Sequence, residues 1–128
     1  MQPYTFSKHQ RLLTPADFRA VFNDAPYRAS HQHLLILSRP NQLAVARLGL
    51  VIAKKHIRLA VNRNKVKRVI RESFRQRQQQ LAGLDVIVLA RSGMGEMDKA
   101  TLSKQLDTQW QRIVRKHQAT NRNGEQAP

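Results

Sequence analysis

The chain has 128 residues, 41% hydrophobic and 24% charged, which is typical of one globular domain over residues 1–128 rather than of a disordered chain. Its formal net charge of +15 indicates a polyanionic partner, most simply a nucleic acid. The absence of cysteine excludes disulfides and thiolate zinc sites, and no apolar run of about 18 residues suggests a membrane span, so we expect a cytoplasmic protein.

The first predicted helix begins at Thr14, where the sequence reads TPADFRAVF. Thr14 is a good N-cap, Pro15 suits the first helical position, and Asp17 can complete a capping box with Thr14. Phe18 and Phe22 are spaced one turn apart, so they share one side of this helix. Two roles are open for them, a place in the core or the wall of a groove for unpaired nucleotides.

Two strand-like runs follow at about 28–38 and 43–53, joined by a turn at 39–42. One face of the second run is wholly apolar: Ala44, Ala46, Leu48, Leu50 and Ile52. The other face is mixed: Leu43, Val45, Arg47, Gly49, Val51 and Ala53. A strand with one core face and one small, partly polar face can leave a shallow surface open to a ligand.

The segment at 54–77 holds ten of the 23 Lys and Arg residues and a single acid, Glu72. From 62 to about 80 it has helical periodicity, with an apolar side at Val66, Val69, Ile70, Ser73, Phe74 and Arg77. Asn64, Arg68, Arg71 and Arg75 lie on the opposite side. A solvated helix usually interleaves acids with its bases, so this cationic surface predicts binding to a phosphate backbone.

The rest of the chain predicts a strand at 84–90, a flexible connection at 92–96 and a helix from about 98 to 117. We expect a loose basic arm at 1–12 and a disordered tail at 118–128. The last helix has residues at core spacing: Leu102, Leu106, Trp110, Ile113 and Val114. The predicted order is therefore αββαβα, an α+β fold in one domain whose ordered core spans about 11–116.

No set of side chains in the sequence indicates a catalytic centre in the protein itself. The eight acids show no paired-carboxylate spacing of the kind that a metal-dependent nuclease needs. His31 and His33 lie on one side of a strand, but without a third ligand a metal site there is the less favoured interpretation. We predict neither a catalytic residue nor a metal site.

Residues 53–75, AKKHIRLAVNRNKVKRVIRESFR, resemble the signature of the bacterial ribonuclease P protein subunit. The resemblance extends to RLLTPADFRAVF, LGLVIAKK and DVIVLAR and covers about 11–116. One departure is Lys65, where the family has the second Arg of an Arg-Asn-Arg stretch. Lysine keeps the charge but loses the bidentate fork. The resemblance implies a compact α/β sandwich with a mostly antiparallel central sheet and a left-handed βαβ crossover.

The resemblance also implies a function, in which the protein joins a catalytic RNA, one to one, to cleave precursor tRNA at its 5′ end, with Mg²⁺ held by the RNA. The implied RNA contacts are Lys54, Lys55, Arg63, Asn64, Lys65, Lys67, Arg68, Arg71 and Arg75. The implied cleft for the 5′ leader is lined by Phe18, Phe22, Ile36, Val51 and Ala53. Ile36 is a second departure, since some members have an aromatic residue there.

Two other functions remain open at this point. A small ribosomal or RNA-packaging protein would have the same basic helix without a role in tRNA processing. An independent ribonuclease would need a carboxylate cluster that the sequence lacks. A membrane-binding polycation is disfavoured because the apolar side of the basic helix is narrow.

Overall fold

The computed structural model describes residues 13–126, and their side chains as far as residue 120. The elements in chain order are α1 (Pro15–Asn23), β1 (Tyr27–Ser30), β2 (Leu34–Pro40), β3 (Arg47–Val51), α2 (Ala60–Arg77), β4 (Leu84–Ala90), a 3₁₀ turn (Met94–Glu96) and α3 (Lys99–Gln126). The α+β class is confirmed. The predicted arm at 1–12 falls outside the described residues.

The four strands form one sheet in the order β1-β2-β4-β3. β1 and β4 both pair with β2 in antiparallel fashion, and β3 pairs with β4 in parallel. The mostly antiparallel sheet is therefore confirmed, with α2 as the crossover between the parallel strands β3 and β4. The left-handedness of this crossover stays a prediction.

The run predicted as one strand at 28–38 is two strands, which corrects the predicted element order to αβββαβα. The chain reverses at His31, whose backbone N–H donates to the Leu34 carbonyl at 2.8 Å. Gln32 and His33 form the two-residue connection, and neither is a Gly, Asn or Pro that would have indicated a turn. The hairpin therefore has no local signal in the sequence.

Two hydrophobic clusters lie on opposite faces of the sheet. The larger one joins α2 and α3 to the sheet, and its members include Val66, Ile70, Phe74, Leu102, Leu106, Trp110 and Ile113. The smaller one places α1 on the other face through Val21, which packs with Leu37 and Ile87. This arrangement leaves the outer edge of β3 between α1 and α2, which is where a groove can open.

The helices differ in how their ends are capped, since the N-cap residue of α2, Leu59, makes no side-chain hydrogen bond. Thr14 and Asp17 form the predicted capping box of α1, and Gly83, in the turns that follow α2, has a positive φ of 87°. α2 ends at Arg77 and is followed by turns. α3 continues to Gln126, beyond the helix end predicted at about residue 117, and the disorder predicted for 118–128 stays a prediction.

Candidate nucleic-acid interface

Helix α2 presents a cationic stripe on its solvent side. Its buried side is formed by Val66, Val69, Ile70, Ser73 and Phe74, as the periodicity predicted. The stripe consists of residues that repeat at three- and four-residue spacing and line one shallow depression of about 370 Å³: Asn64, Lys67, Arg68, Arg71, Glu72 and Arg75. Because these side chains share one face of the helix, they can meet successive phosphates of one RNA strand.

The charges of this stripe are largely unneutralised. Glu72 pairs with Arg75, whose hydrogen bond is the main reason that the pKa of Glu72 lies below its usual value. Among the described residues, Lys67, Arg68 and Arg71 have no hydrogen bond or ion pair to protein. Like charges held together without counter-charges repel, so this surface gains stability from a polyanion.

A groove of about 460 Å³ lies beside the stripe, along the edge of β3. Its apolar lining comes from Leu13, Phe18, Leu48, Gly49 and Leu50. Two residues of the stripe, Lys67 and Arg71, complete the lining. The stripe and the groove are therefore one continuous surface, with cations on one side and an aromatic wall on the other.

Gly49 sets the depth of this groove. A Cβ atom at residue 49 would lie 2.6 Å from Cζ of Phe18 and 2.9 Å from Cδ1 of Leu13, so only glycine lets the Phe18 ring lie on the strand. Phe18 also stacks with Phe22 at 6.3 Å between ring centroids. Phe22 is 48% exposed, so this aromatic pair reaches from the groove to solvent.

An ionic network fixes α1, and with it Phe18, on the sheet. The Arg47 guanidinium donates to both carboxylate oxygens of Asp85 at 2.7 Å and to Asp17 at 3.3 Å. The Asn41 amide donates to Asp85 as well. A hydrogen bond from the Thr14 N–H is the main reason that the pKa of Asp17 is lowered, and Arg47 adds to it. The hydrogen bonds to Asp85 raise the pKa of Arg47.

This network was missed by sequence reasoning. Arg47 and Asp85 are 38 residues apart in the chain, and they become neighbours only because β3 and β4 pair in a register that sets them opposite each other. The available signal was one charged residue in each of two otherwise apolar strands. Two such residues predict a pair only when the strand partners are known.

Of the five predicted cleft residues, Phe18 alone is in the lining of the groove. Phe18 and Val51 belong to the cluster beneath α1, and Ala53 is half-buried just after β3. Ile36 is fully buried in the larger cluster on the opposite face of the sheet, so it cannot line this cleft. Side chains alternate along a strand, and it is Leu35 and Leu37 of β2 that face α1.

The predicted RNA contacts also divide. Lys54 and Lys55 are exposed in the loop after β3, and Asn64, Arg68 and Arg71 are exposed on α2. Arg63 and Lys65 are turned toward backbone carbonyls of the protein and are only half-exposed. Their charges remain near the interface, but Nη1 of Arg63 and Nζ of Lys65 each donate to two carbonyl oxygens of the protein.

The described part of the chain contains no group of three or more His, Cys, Asp or Glu side chains that could hold a metal ion. The rings of His31 and His33 are 5.6 Å apart, and Nδ1 of His33 bonds to the Ser92 carbonyl at 2.9 Å. No helix in 13–126 is long and apolar enough to cross a membrane.

The comparisons with known proteins all point to one family. A model of the ribonuclease P family matches residues 6–114. The ribonuclease P protein component of Pasteurella multocida is 50% identical over 110 residues, which cover 86% of this chain and 92% of that protein. The RNase P protein of Staphylococcus aureus superposes with a TM-score of 0.73 at 27% identity, over 80% of this chain and 93% of that one. The RNase P protein of Thermotoga maritima superposes with a TM-score of 0.68 at 29% identity, over 82% of this chain and 96% of that one.

Proposed function

The chain belongs to the ribonuclease P protein family, as the protein component of this tRNA-processing endoribonuclease, and we propose that its stripe binds the catalytic RNA while its groove binds the 5′ leader of precursor tRNA. The family match leaves the ribosomal alternative without support. The observation that carries the proposal is the shared lining, since Lys67 and Arg71 belong to both the stripe and the groove.

The groove suits a single RNA strand. Unpaired bases stack on aromatic side chains, and Phe18 and Phe22 offer such a surface at the edge of β3. Phosphates of the same strand would lie against Lys67 and Arg71. The wall is sequence-tolerant because every base has a π-face, so one groove can accept the leaders of many precursor tRNAs.

The protein contributes positioning and charge, and the chemistry belongs to the RNA subunit. The carboxylates of Asp17 and Asp85 are engaged by Arg47 and hold α1 in place. Mg²⁺ bound by the RNA would supply the activation of the attacking water. We propose one protein for each catalytic RNA, acting in the cytoplasm.

Two energetic consequences follow from this arrangement. Bringing a precursor tRNA onto a polyanionic ribozyme costs repulsion, which a protein of charge +15 offsets. The leader is attached only before cleavage, so contacts to it favour substrate over product. The groove therefore favours binding of uncleaved tRNA without slowing release of the mature product.

The test is cleavage of a precursor tRNA at low Mg²⁺ by a bacterial ribonuclease P RNA, with and without this protein. We expect stoichiometric protein to restore correct 5′ cleavage, and protein alone to cleave nothing. Cleavage that survives complete removal of the RNA would instead show an active site in the protein. Tight, salt-sensitive RNA binding without any restored cleavage would refute the proposed role.

A further inference from the structure

We infer that Arg63 and Lys65 act on RNA through two loops that they hold in place, and that of the residues at 63–65 only Asn64 touches RNA directly. The loops are the β3–α2 loop, residues 52–59, and the β4–α3 turn, residues 91–98. The inference rests on the proposed RNA-binding role of the stripe. Arg63 and Lys65, two cations of the basic segment, are then positioning residues.

Arg63 holds the β3–α2 loop. Its Nη1 donates to the carbonyl oxygens of Ile57 at 3.1 Å and Arg58 at 2.9 Å. The Ile57 side chain is 3% exposed and belongs to the larger core cluster, so this end of the loop is anchored twice. The same loop carries the exposed pair Lys54 and Lys55.

Lys65 holds the β4–α3 turn. Its Nζ donates to the carbonyl oxygens of Gly95 at 3.1 Å and Met97 at 2.8 Å. The β4–α3 turn also supports the β3–α2 loop, because Gly95 packs so closely against Ile57 that a Cβ at residue 95 would lie 2.7 Å from Cγ2 of Ile57. The two segments are therefore in direct contact, and displacing one removes support from the other.

Helix geometry separates these two residues from the stripe. At 100° per residue, residues 63 and 65 point to two different sides of α2, and Asn64 points outward between them. Asn64 shares its face with Lys67, Arg68 and Arg71. The two carbonyl oxygens that each head group binds hold Nη1 of Arg63 and Nζ of Lys65 against the loops, to the sides of the face that Asn64 presents.

The loops shape a second surface for the RNA. Between them lies a groove of about 400 Å³, lined among others by Lys55, Arg58, Asn62 and Glu96. The carbonyl groups accept hydrogen bonds from Arg63 and Lys65 without neutralising the charge of either residue. The two cations thus fix the position of Lys54 and Lys55 and keep this end of the protein positive.

The direct test is chemical modification of lysine amines in the whole protein, free and bound to a ribonuclease P RNA. We expect Lys65 to react slowly and at the same rate in both states, whereas RNA protects Lys67 in proportion to the fraction bound. Protection of Lys65 to the same degree as Lys67 would overturn the inference. If RNA binds but protects none of the stripe, the proposed function of the stripe fails instead.

A double-mutant cycle tests the action through the loop, with Lys65→Met, Lys55→Met and the matched control Lys67→Met. If Lys65 positions Lys55, the variant lacking both loses no more than about twofold in RNA affinity beyond the larger single loss. The fold losses in RNA affinity caused by Lys67→Met and by Lys55→Met should multiply in the double variant, because the two lysines contact RNA independently. If the fold losses of Lys65→Met and Lys55→Met also multiply, the inference is contradicted. Should Lys65→Met fail to fold, the modification experiment on the parent protein still decides.

Discussion

Replacing Gly49 by alanine tests whether the Phe18 ring must lie on β3 to form the groove. The added Cβ would stand 2.6 Å from Cζ of Phe18, and the rigid ring can avoid it only by rotating as a whole, whereas the end of Leu13 can bend away. Overpacking of this kind costs about 1–3 kcal/mol, and we expect about 1–2 because Phe18 is half-buried and can rotate toward solvent. For a chain of this size that corresponds to a fall in Tm of roughly 4–8 °C.

The assay combines thermal unfolding with binding of a leader-containing precursor tRNA. Gly49→Ala should lower Tm and should weaken precursor binding, since the displaced ring no longer offers its face. In a Phe18→Ala background the same change should cost almost nothing, because the clashing ring is gone. An unchanged Tm and unchanged precursor binding in Gly49→Ala would refute the idea that the ring sits on Gly49.

Three further predictions concern the stripe and the ionic network. Arg68→Gln should reduce the slope of log RNA affinity against log salt concentration by about 0.7–0.9, while Lys104→Gln on α3 should leave the slope unchanged. Equal slopes for the parent and Arg68→Gln would show that Arg68 does not contact a phosphate. Asp85→Asn should lower the free energy of unfolding by roughly 2–4 kcal/mol, less than the loss at a fully buried ion pair because the Arg47 side chain is 20% exposed. An unchanged free energy of unfolding in chemical denaturation would contradict the stabilising role of the network. The lowered pKa of Asp17 means that its ionised form stabilises the fold above pH 3.8 and that this contribution is lost as the pH falls from there through the lowered pKa. The stability gap between parent and Asp17→Asn should therefore narrow below pH 3.8, and a gap that stays constant there would refute the assignment.

The helices were largely predictable from the sequence because their signals are local. The capping box at Thr14 and the apolar side of α2 depend on residues within one or two turns of each other. The faces of β3 and of the residue before it were predictable for the same reason, since strict alternation placed Ala46 and Leu48 in the core. Local patterns thus gave the surfaces from which the interface is built.

The rest depends on contacts between distant parts of the chain. The partition of the cations is one example, since Arg63 and Lys65 look like any other base of the segment until the loops around them are placed. The face of β2 is another: an apolar run without polar alternation does not reveal that Ile36 and Leu37 belong to opposite clusters. Register and loop placement are tertiary properties, so periodicity alone could not supply them.

The most direct test of the leader groove compares the affinity of the assembled ribonucleoprotein for precursor tRNA and for mature tRNA, with the parent protein and with Phe18→Ala. Stacking of a base on an aromatic ring is worth about 1–3 kcal/mol, so Phe18→Ala should weaken precursor binding by about fivefold or more and leave mature tRNA binding nearly unchanged. Thermal unfolding of the variant checks that α1 stays in place. Equal losses for precursor and mature tRNA would contradict the account and return Phe18 to a purely structural role.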